Sequence, residues 1–157
     1  MKRAAGGFTL IEVVVTLALI GLLAGMAAPL TETLVRRGKE QDLKNALYQI
    51  RDGIDAYKRA YDAGYLEKSL DSNGYPPNLA VLVDGVRDVR SAKGGKFYFL
   101  RRIPRDPFAS SKHDDNGGWG LRSYDSSADN PRDGEDVFDV YSQARGTGLN
   151  GIPYREW

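Results

Sequence analysis

The sequence predicts an α+β fold in which a long N-terminal helix packs on a small C-terminal antiparallel sheet of about three strands. Three observations support this prediction. Residues 13–30 carry no charge, and an apolar stripe at helical spacing then runs from Leu43 to Tyr61. Beyond the stripe, three short segments rich in aromatic and β-branched residues are separated by Gly, Pro and Asp, which is typical of short strands.

Length, charge and composition limit the classes of function. The 157 residues suit one globular domain beside the apolar segment. A net charge of +1 offers no basic excess that would indicate a nucleic-acid partner. The absence of Cys excludes disulfides and thiol chemistry, and a single histidine, His113, leaves little material for a zinc site.

The N-terminus joins a short basic leader to the long apolar segment. Lys2 and Arg3 precede a glycine pair, and Gly7 is followed by the run Phe8-Thr9-Leu10-Ile11-Glu12. At 1.5 Å per residue, a helix over residues 8–30 reaches roughly 30 Å, which is enough to cross a bilayer. The basic leader is expected on the cytoplasmic side, so the rest of the chain is expected on the other side.

Glu12 is the unusual residue of this segment. A carboxylate within the bilayer is energetically costly, so such residues usually have a partner and a function. Two simpler interpretations are a secretory signal peptide cleaved near Gly25-Met26-Ala27 and a plain single-pass anchor. Neither accounts for an acid in the first turns of the segment.

Small residues and a proline mark residues 21–29 as the weakest part of the predicted helix. Gly21 and Gly25 form a Gly-x-x-x-Gly pair, which lets helices approach closely in lipid. Pro29 lacks a backbone N–H and clashes with the carbonyl of Gly25. A packing groove with a harmless kink explains the pattern equally well.

Residues 31–62 are predicted to continue the helix as an amphipathic segment that ends near Asp62, before Gly64. The apolar stripe consists of Leu43, Leu47, Ile50, Ile54, Tyr57 and Tyr61. The opposite, polar face carries Glu40, Lys44, Arg51, Asp55 and Lys58. Because the stripe covers only about three heptads, we expect it to pack on the globular domain, residues 63–157, rather than in a coiled coil.

Within the globular domain, residues 79–83 are predicted to form one or two helical turns. Residues 96–103, 120–124 and 137–142 are the strand candidates. Pro104 must end the first strand, because proline cannot donate a ladder hydrogen bond. A sheet of three short strands is marginal alone, so it needs the helix stripe to cover its apolar face.

Several motifs follow the leader in a set order: Tyr75-Pro76, Leu79-x-x-Leu82-Val83, Ile103-Pro104-Arg105-Asp106-Pro107-Phe108, Trp119-Gly120 and Phe138-Asp139-Val140-Tyr141-Ser142. The N-terminus resembles the class III leader of type IV pilins and secretion pseudopilins. Over most of the chain the order resembles the major (G-type) pseudopilin of type II secretion systems. A type IV pilin of a surface fibre, used for adhesion, motility or DNA uptake, is the alternative, although such pilins usually carry a C-terminal disulfide.

The resemblance implies a structural subunit and not an enzyme. It implies that a prepilin peptidase removes residues 1–7 by cleaving between Gly7 and Phe8, and that the new Phe8 amine is methylated. The subunit is then held in the bacterial inner membrane by a single transmembrane segment, residues 8–30, with its C-terminal domain in the periplasm. Assembly lifts it from lipid into a periplasmic helical filament that drives secretion.

In that filament the resemblance implies that Glu12 meets the Phe8 amine of a neighbouring subunit, and that the helix loosens around Gly21 and Pro29. The implied partners are identical subunits, minor pseudopilins, the prepilin peptidase, an inner-membrane assembly platform and membrane lipid. No nucleic acid is expected.

Calcium is the one cofactor that the resemblance raises. G-type pseudopilins bind it in an acidic loop after the last strand, but residues 143–151 of this chain contain Arg145 and no carboxylate. The acids instead precede that strand, at Asp125, Asp129, Asp133, Glu135 and Asp136. They can supply oxygen ligands but lack the EF-hand spacing, so a calcium site and a solvated acidic loop are both open interpretations.

Charge is segregated within the domain. Basic residues cluster at Arg87, Arg90, Lys93, Lys96, Arg101, Arg102 and Arg105, and acids dominate from residue 106 to residue 139. Subunits of a helical filament bury different faces of the same chain, so the basic stretch of one can meet the acidic loop of another. Pairing within one chain, or plain solubility, is the other interpretation.

One group of residues resembles a catalytic set: Ser110, His113, Asp114 and Asp115. It lies in a stretch rich in Gly, Asp and Ser, which is typical of a loop. Catalytic groups need a rigid setting, so an anchored enzyme is the weakest of the three functional classes.

Overall fold

A computed structural model describes residues 7–69, 72–109 and 115–157. Its elements are α1 (Leu10–Asp62), α2 (Ala80–Asp84), β1 (Val86–Arg87), β2 (Lys96–Phe97), β3 (Trp119–Arg122), β4 (Asp139–Ser142) and a 3₁₀ turn (Tyr154–Glu156). The chain divides into two compact units, one ending at Gly38 and one comprising Lys39–Trp157. A long N-terminal helix followed by small antiparallel sheets confirms the predicted α+β class.

The end of α1 confirms the prediction at Asp62, and Gly64 is its cause. Gly64 has φ +73°, in the left-handed region that glycine adopts without strain. The Tyr65 amide donates to the Ala60 carbonyl at 3.0 Å, and the Gly64 amide donates to the Tyr61 carbonyl at 2.9 Å. These two bonds form a Schellman motif, which satisfies carbonyls that the helix end would otherwise leave unpaired.

The predicted transmembrane segment covers residues 8–30. In the part of the chain that the structure describes, no helix combines the length and the apolar character required to span a bilayer.

The apolar stripe of α1 forms one wall of the domain core, as predicted. Leu43, Leu47, Ile50, Ile54 and Tyr57 are buried, and Tyr61 packs against the core at its edge. Ala46 of the helix also belongs to this core, and the remainder comes from the residues that follow the helix: Leu66, Leu79, Leu82, Leu100, Trp119, Val137, Val140 and Tyr154. Each fully buried aliphatic side chain stabilises the fold by about 1.5–3 kcal/mol, so this stripe anchors residues 63–157 to the helix.

Glu40 departs from the predicted polar face. Its side chain is only 8% exposed, although the helical pattern places it with the polar residues. The cause is tertiary, because residues near the C-terminus cover it and donate hydrogen bonds to it.

The sequence predicted one small antiparallel sheet of about three strands. In the described part of the chain, the antiparallel strands form two pairs, β1 with β2 and β3 with β4. In the first, Val86 lies opposite Phe97. In the second, Trp119 lies opposite Ser142 and Arg122 lies opposite Asp139. The predicted strand 96–103 therefore shrinks to two residues, and its partner β1 was not predicted.

The backbone after Phe97 leaves the ladder to bind α2. The amides of Phe99 and Leu100 both donate to the Leu82 carbonyl, at 3.0 and 2.9 Å. This contact buries Leu100 and directs the chain toward Pro104, so the aromatic run packs on the core without strand pairing. The other predicted segments are confirmed. The predicted turns at residues 79–83 form α2, shifted by one residue, and the strands predicted at 120–124 and 137–142 form the shorter β3 and β4.

Candidate assembly site

The residues around the predicted cleavage point precede the first helical turn. Gly7 is exposed, and the Phe8 side chain is 81% exposed. Thr9 is the N-cap residue of α1, because its carbonyl accepts the amides of Glu12 and Val13, at 3.1 and 3.2 Å. The backbone at the Gly7–Phe8 bond is thus outside the helix.

Thr9 and Glu12 form a reciprocal capping box. The Glu12 amide donates to Thr9 Oγ1 at 3.4 Å. In return, Glu12 Oε2 accepts the Thr9 amide at 3.5 Å and the Thr9 hydroxyl at 3.4 Å. Such an N-cap contributes about 1 kcal/mol to a helix, and an acid in the first turn also interacts favourably with the helix dipole.

This role of Glu12 was missed in the sequence, although the pattern Thr9-x-x-Glu12 before an apolar run predicts it. The capping contacts use one carboxylate oxygen, whereas a carboxylate can accept about four hydrogen bonds. The Glu12 side chain is exposed, so it retains capacity for a donor from outside the chain.

The two predicted small residues of the segment face open space. A Cβ added at Gly21 or Gly25 would meet no atom outside the local helix backbone within 4 Å. Pro29 lies within α1, and its side chain is outside the described part of the structure. Among the described residues, no contact therefore requires glycine at these two positions.

The acids before β4 differ in their burial. Asp136 is buried, and it accepts the Tyr124 amide at 2.8 Å and the Asn73 amide group at 3.1 Å. Asp125, Asp129, Asp133 and Glu135 are exposed. Among the described residues, no group of three or more His, Cys, Asp or Glu side chains is arranged to hold a metal ion.

Several of these acids line an open cleft of about 1090 Å³. Its other wall carries Tyr57, Tyr61 and Tyr75. Burial, and secondarily the neighbouring Tyr61, raises the pKa of the Tyr57 hydroxyl above its usual value of 10.0. Burial likewise raises the pKa of Tyr75, partly offset by the Lys58 ammonium.

The basic stretch is partly used within the chain. Arg90 Nε donates to the Gly64 carbonyl at 3.1 Å, and its guanidinium lies 4.4 Å from the centre of the Tyr65 ring. Arg90 therefore fastens the β1–β2 loop to the end of α1. Arg101 and Arg102 are exposed.

Most of the set that resembled a catalytic group falls outside the described structure. Ser110, His113 and Asp114 lie outside the described residues, and Asp115 is exposed.

Comparison with known proteins finds a family that matches the N-terminal motif. Residues 2–28 match the family described as the prokaryotic N-terminal methylation motif. This match contains Gly7, Phe8 and Glu12, the residues around the start of α1. No solved structure matches the chain.

Three curated relatives extend the likeness into the globular domain. The type II secretion system core protein G of Aeromonas hydrophila is 28% identical over 115 residues, 69% of this chain and 71% of the relative. The protein of the same name from Dickeya chrysanthemi is 25% identical over 114 residues, 70% of this chain and 67% of the relative. That of Klebsiella pneumoniae is 28% identical over 111 residues, 66% of this chain and 69% of the relative. The chain is therefore similar to the core protein G of type II secretion systems over its aligned length, and its N-terminus matches the methylation motif.

Proposed function

We propose that the protein is the structural subunit of a periplasmic pseudopilus that drives type II protein secretion. The observation that carries the proposal is the likeness to three relatives named type II secretion system core protein G, which spans 66–70% of this chain and 67–71% of the relatives. The same likeness disfavours the surface-fibre pilin. A pseudopilin is a structural protein, so no catalytic role is proposed.

Processing is proposed at the Gly7–Phe8 bond, by a prepilin peptidase that is followed by methylation of the Phe8 amine. The methylation motif at residues 2–28 supports this step. The exposed, non-helical backbone at Gly7 and Phe8 also supports it, because a peptidase needs access to an unwound peptide bond.

The mature subunit is proposed to be held in the inner membrane by residues 8–30, with residues 31–62 continuing the helix and residues 63–157 forming the periplasmic domain. The described side chains of residues 7–25 are all exposed, including large apolar ones such as Leu10 and Leu23. An apolar surface of this extent requires lipid or neighbouring helices to cover it. The open faces at Gly21 and Gly25 suit close approach of such helices.

Glu12 is proposed to select the register of the growing filament. In the subunit its carboxylate caps the helix, and in the filament it accepts the Phe8 ammonium of a neighbour. A carboxylate surrounded by apolar helices is tolerated when an ammonium neutralises it, whereas removing one partner costs about 3–5 kcal/mol. A subunit added out of register would leave that charge unpaired.

The proposed partners are identical subunits, minor pseudopilins, the prepilin peptidase and an inner-membrane assembly platform. The test is to express the chain with a type II secretion system that lacks its own major pseudopilin. We expect a mature protein whose mass and first residue correspond to N-methylated Phe8, together with restored secretion. A mature chain that starts elsewhere, or long surface fibres without secretion, would refute the proposal.

A further inference from the structure

The segment after β4 folds into a compact loop in this chain. The Gly148 amide donates to the Ile152 carbonyl at 2.8 Å, and the Gly151 amide donates to the Gly148 carbonyl at 2.9 Å. An isolated antiparallel bridge between Thr147 and Pro153 closes the loop. These local bonds shape the loop but do not attach it to the rest of the domain.

Glu40 of α1 makes that attachment. Its Oε1 accepts the Leu149 amide at 2.9 Å and the Tyr154 hydroxyl at 2.9 Å. Both contacts connect residues more than one hundred positions apart, 109 and 114 respectively. Tyr154 is itself buried and stacks on Phe108 with a centroid distance of 4.4 Å, so its hydroxyl is held in place. A buried carboxylate that accepts two donors is a charge-assisted, well-oriented contact.

Arg51, three turns further along α1, binds both β4, which precedes this segment, and Trp157, which follows it. Its Nε donates to Asp139 Oδ1 at 2.8 Å, at the start of β4. Its Nη2 donates to the Trp157 carbonyl at 2.8 Å and to the Val140 carbonyl at 3.3 Å. Lys44 lies between Glu40 and Arg51 on α1, and its Nζ is 4.7 Å from the centre of the Trp157 ring.

These contacts determine whether the loop can bind a calcium ion. Ca²⁺ takes six to eight oxygen ligands, with several carboxylates among them. Residues 143–151 contain none, and the carboxylate that reaches the loop, Glu40, accepts an N–H and an O–H there. Within residues 115–157, no group of three or more acids is arranged to hold a metal ion. The loop therefore does not fit a calcium ion.

We propose that Glu40 and Arg51 form a protein clasp that holds the C-terminal loop without calcium, so that the domain folds independently of that ion. The clasp does not rest on the proposed function, because the readouts below measure folding and not secretion. If the chain fails to restore secretion while these folding readouts are as expected, the proposed function alone is refuted.

The first experiment compares thermal unfolding of the full-length protein in detergent, with excess CaCl₂ and with EGTA, and measures bound calcium by mass spectrometry. We expect equal midpoints in both conditions and no stoichiometric calcium. A higher midpoint with calcium, or one bound ion per chain, would overturn the proposal.

The second experiment uses trypsin, because Arg145 is an exposed cleavage site in the segment after β4, two residues before the bridge at Thr147 that closes the loop. We expect Glu40→Ala to accelerate cleavage after Arg145 by roughly tenfold, the factor that corresponds to about 1.4 kcal/mol. Added calcium should not slow it. The matched control is Asp42→Ala, which removes an exposed acid two residues away on the same helix. Equal cleavage rates in the two variants would contradict the clasp.

Should Glu40→Ala fail to fold, two milder variants apply the same test. Glu40→Gln keeps an acceptor oxygen, and Tyr154→Phe removes only one donor while retaining the ring. For each variant, we expect trypsin to cleave after Arg145 faster than in wild type but more slowly than in a chain whose loop is fully released. Wild-type rates for both variants would also refute the clasp.

Discussion

The Ser142 hydroxyl donates a hydrogen bond to Asp106 Oδ2 inside the domain. Asp106 is 3% exposed and Ser142 is fully buried. Asp106 belongs to the Ile-Pro-x-Asp-Pro-Phe motif and Ser142 ends the Val-Tyr-Ser motif, so two motifs that lie far apart in the sequence meet at this bond. Asp106 also accepts the Phe108 amide at 2.8 Å, and Ser142 accepts the Ala144 amide at 3.1 Å.

Replacing Asp106 should therefore destabilise the domain. Asp106→Ala leaves the Ser142 hydroxyl and the Phe108 amide without their acceptor, and each buried unpaired group costs about 1–3 kcal/mol. We expect a lower midpoint of urea unfolding with an unchanged slope. Asp115→Ala, at an exposed position, is the control and should leave the midpoint where it is. An unchanged Asp106→Ala midpoint would mean that this bond does not stabilise the fold.

Three variants separate the two roles of Glu12. Glu12→Gln keeps a side-chain oxygen for the capping box but loses the charge, whereas Thr9→Ala loses the cap and keeps the charge. If the charge selects register, Glu12→Gln and Glu12→Ala should insert in the membrane and assemble poorly. Thr9→Ala should assemble at close to the wild-type level, because loss of a cap costs only about 1 kcal/mol.

The measurements are membrane fractionation and the yield of sheared filaments. Wild-type yield from Glu12→Gln, combined with failure of Thr9→Ala, would show that the residue acts through helix capping.

Two glycines should respond in opposite directions to alanine. A Cβ at Gly120 would clash with the Tyr141 ring, because this ring covers its cross-strand neighbour. Overpacking of this kind costs about 1–3 kcal/mol. Gly38 lies within α1 with no atom outside the local helix backbone within 4 Å, so alanine there should stabilise the helix by about 1 kcal/mol. Thermal unfolding of the two variants measures both effects, and a shift of the same sign in both would contradict the predicted packing.

Stability should fall at alkaline pH, and Tyr57 should contribute. Because burial raises the pKa of Tyr57 above 10.0, the folded state keeps its proton at a pH where the unfolded chain releases it. The contribution of Tyr57 to the free energy of unfolding is fully present below pH 10.0. It is lost as the pH rises from that value through the pKa of Tyr57 in the folded state.

Tyr57→Phe keeps the ring, which lies 5.4 Å from Phe99, and removes the titrating group. Its midpoint should decline less steeply above pH 10 than that of wild type. Tyr98→Phe, at an exposed position, should follow the wild-type curve. If the unfolding midpoints of wild type and Tyr57→Phe decline in parallel above pH 10, Tyr57 does not cause the loss of stability.

Local patterns predicted much of the helix and part of the site. The spacing of Leu43, Leu47 and Ile50 predicted the buried face of α1, because every turn of the helix presents the same side to the core. Gly64 marked its end, because only a residue that tolerates positive φ closes this turn. The Thr9–Glu12 capping box was also encoded locally and was overlooked.

The amino-acid sequence by itself therefore determined the long helix, its buried stripe and the N-terminal motif, since each depends on residues a few positions apart. Only the tertiary structure decided that residues 96–103 leave the ladder for Leu82, and that Glu40 is buried under the C-terminal loop. The partners of Glu40 lie 109 and 114 residues away. A periodic pattern cannot specify such contacts, because they form only when packing of the core brings distant segments together.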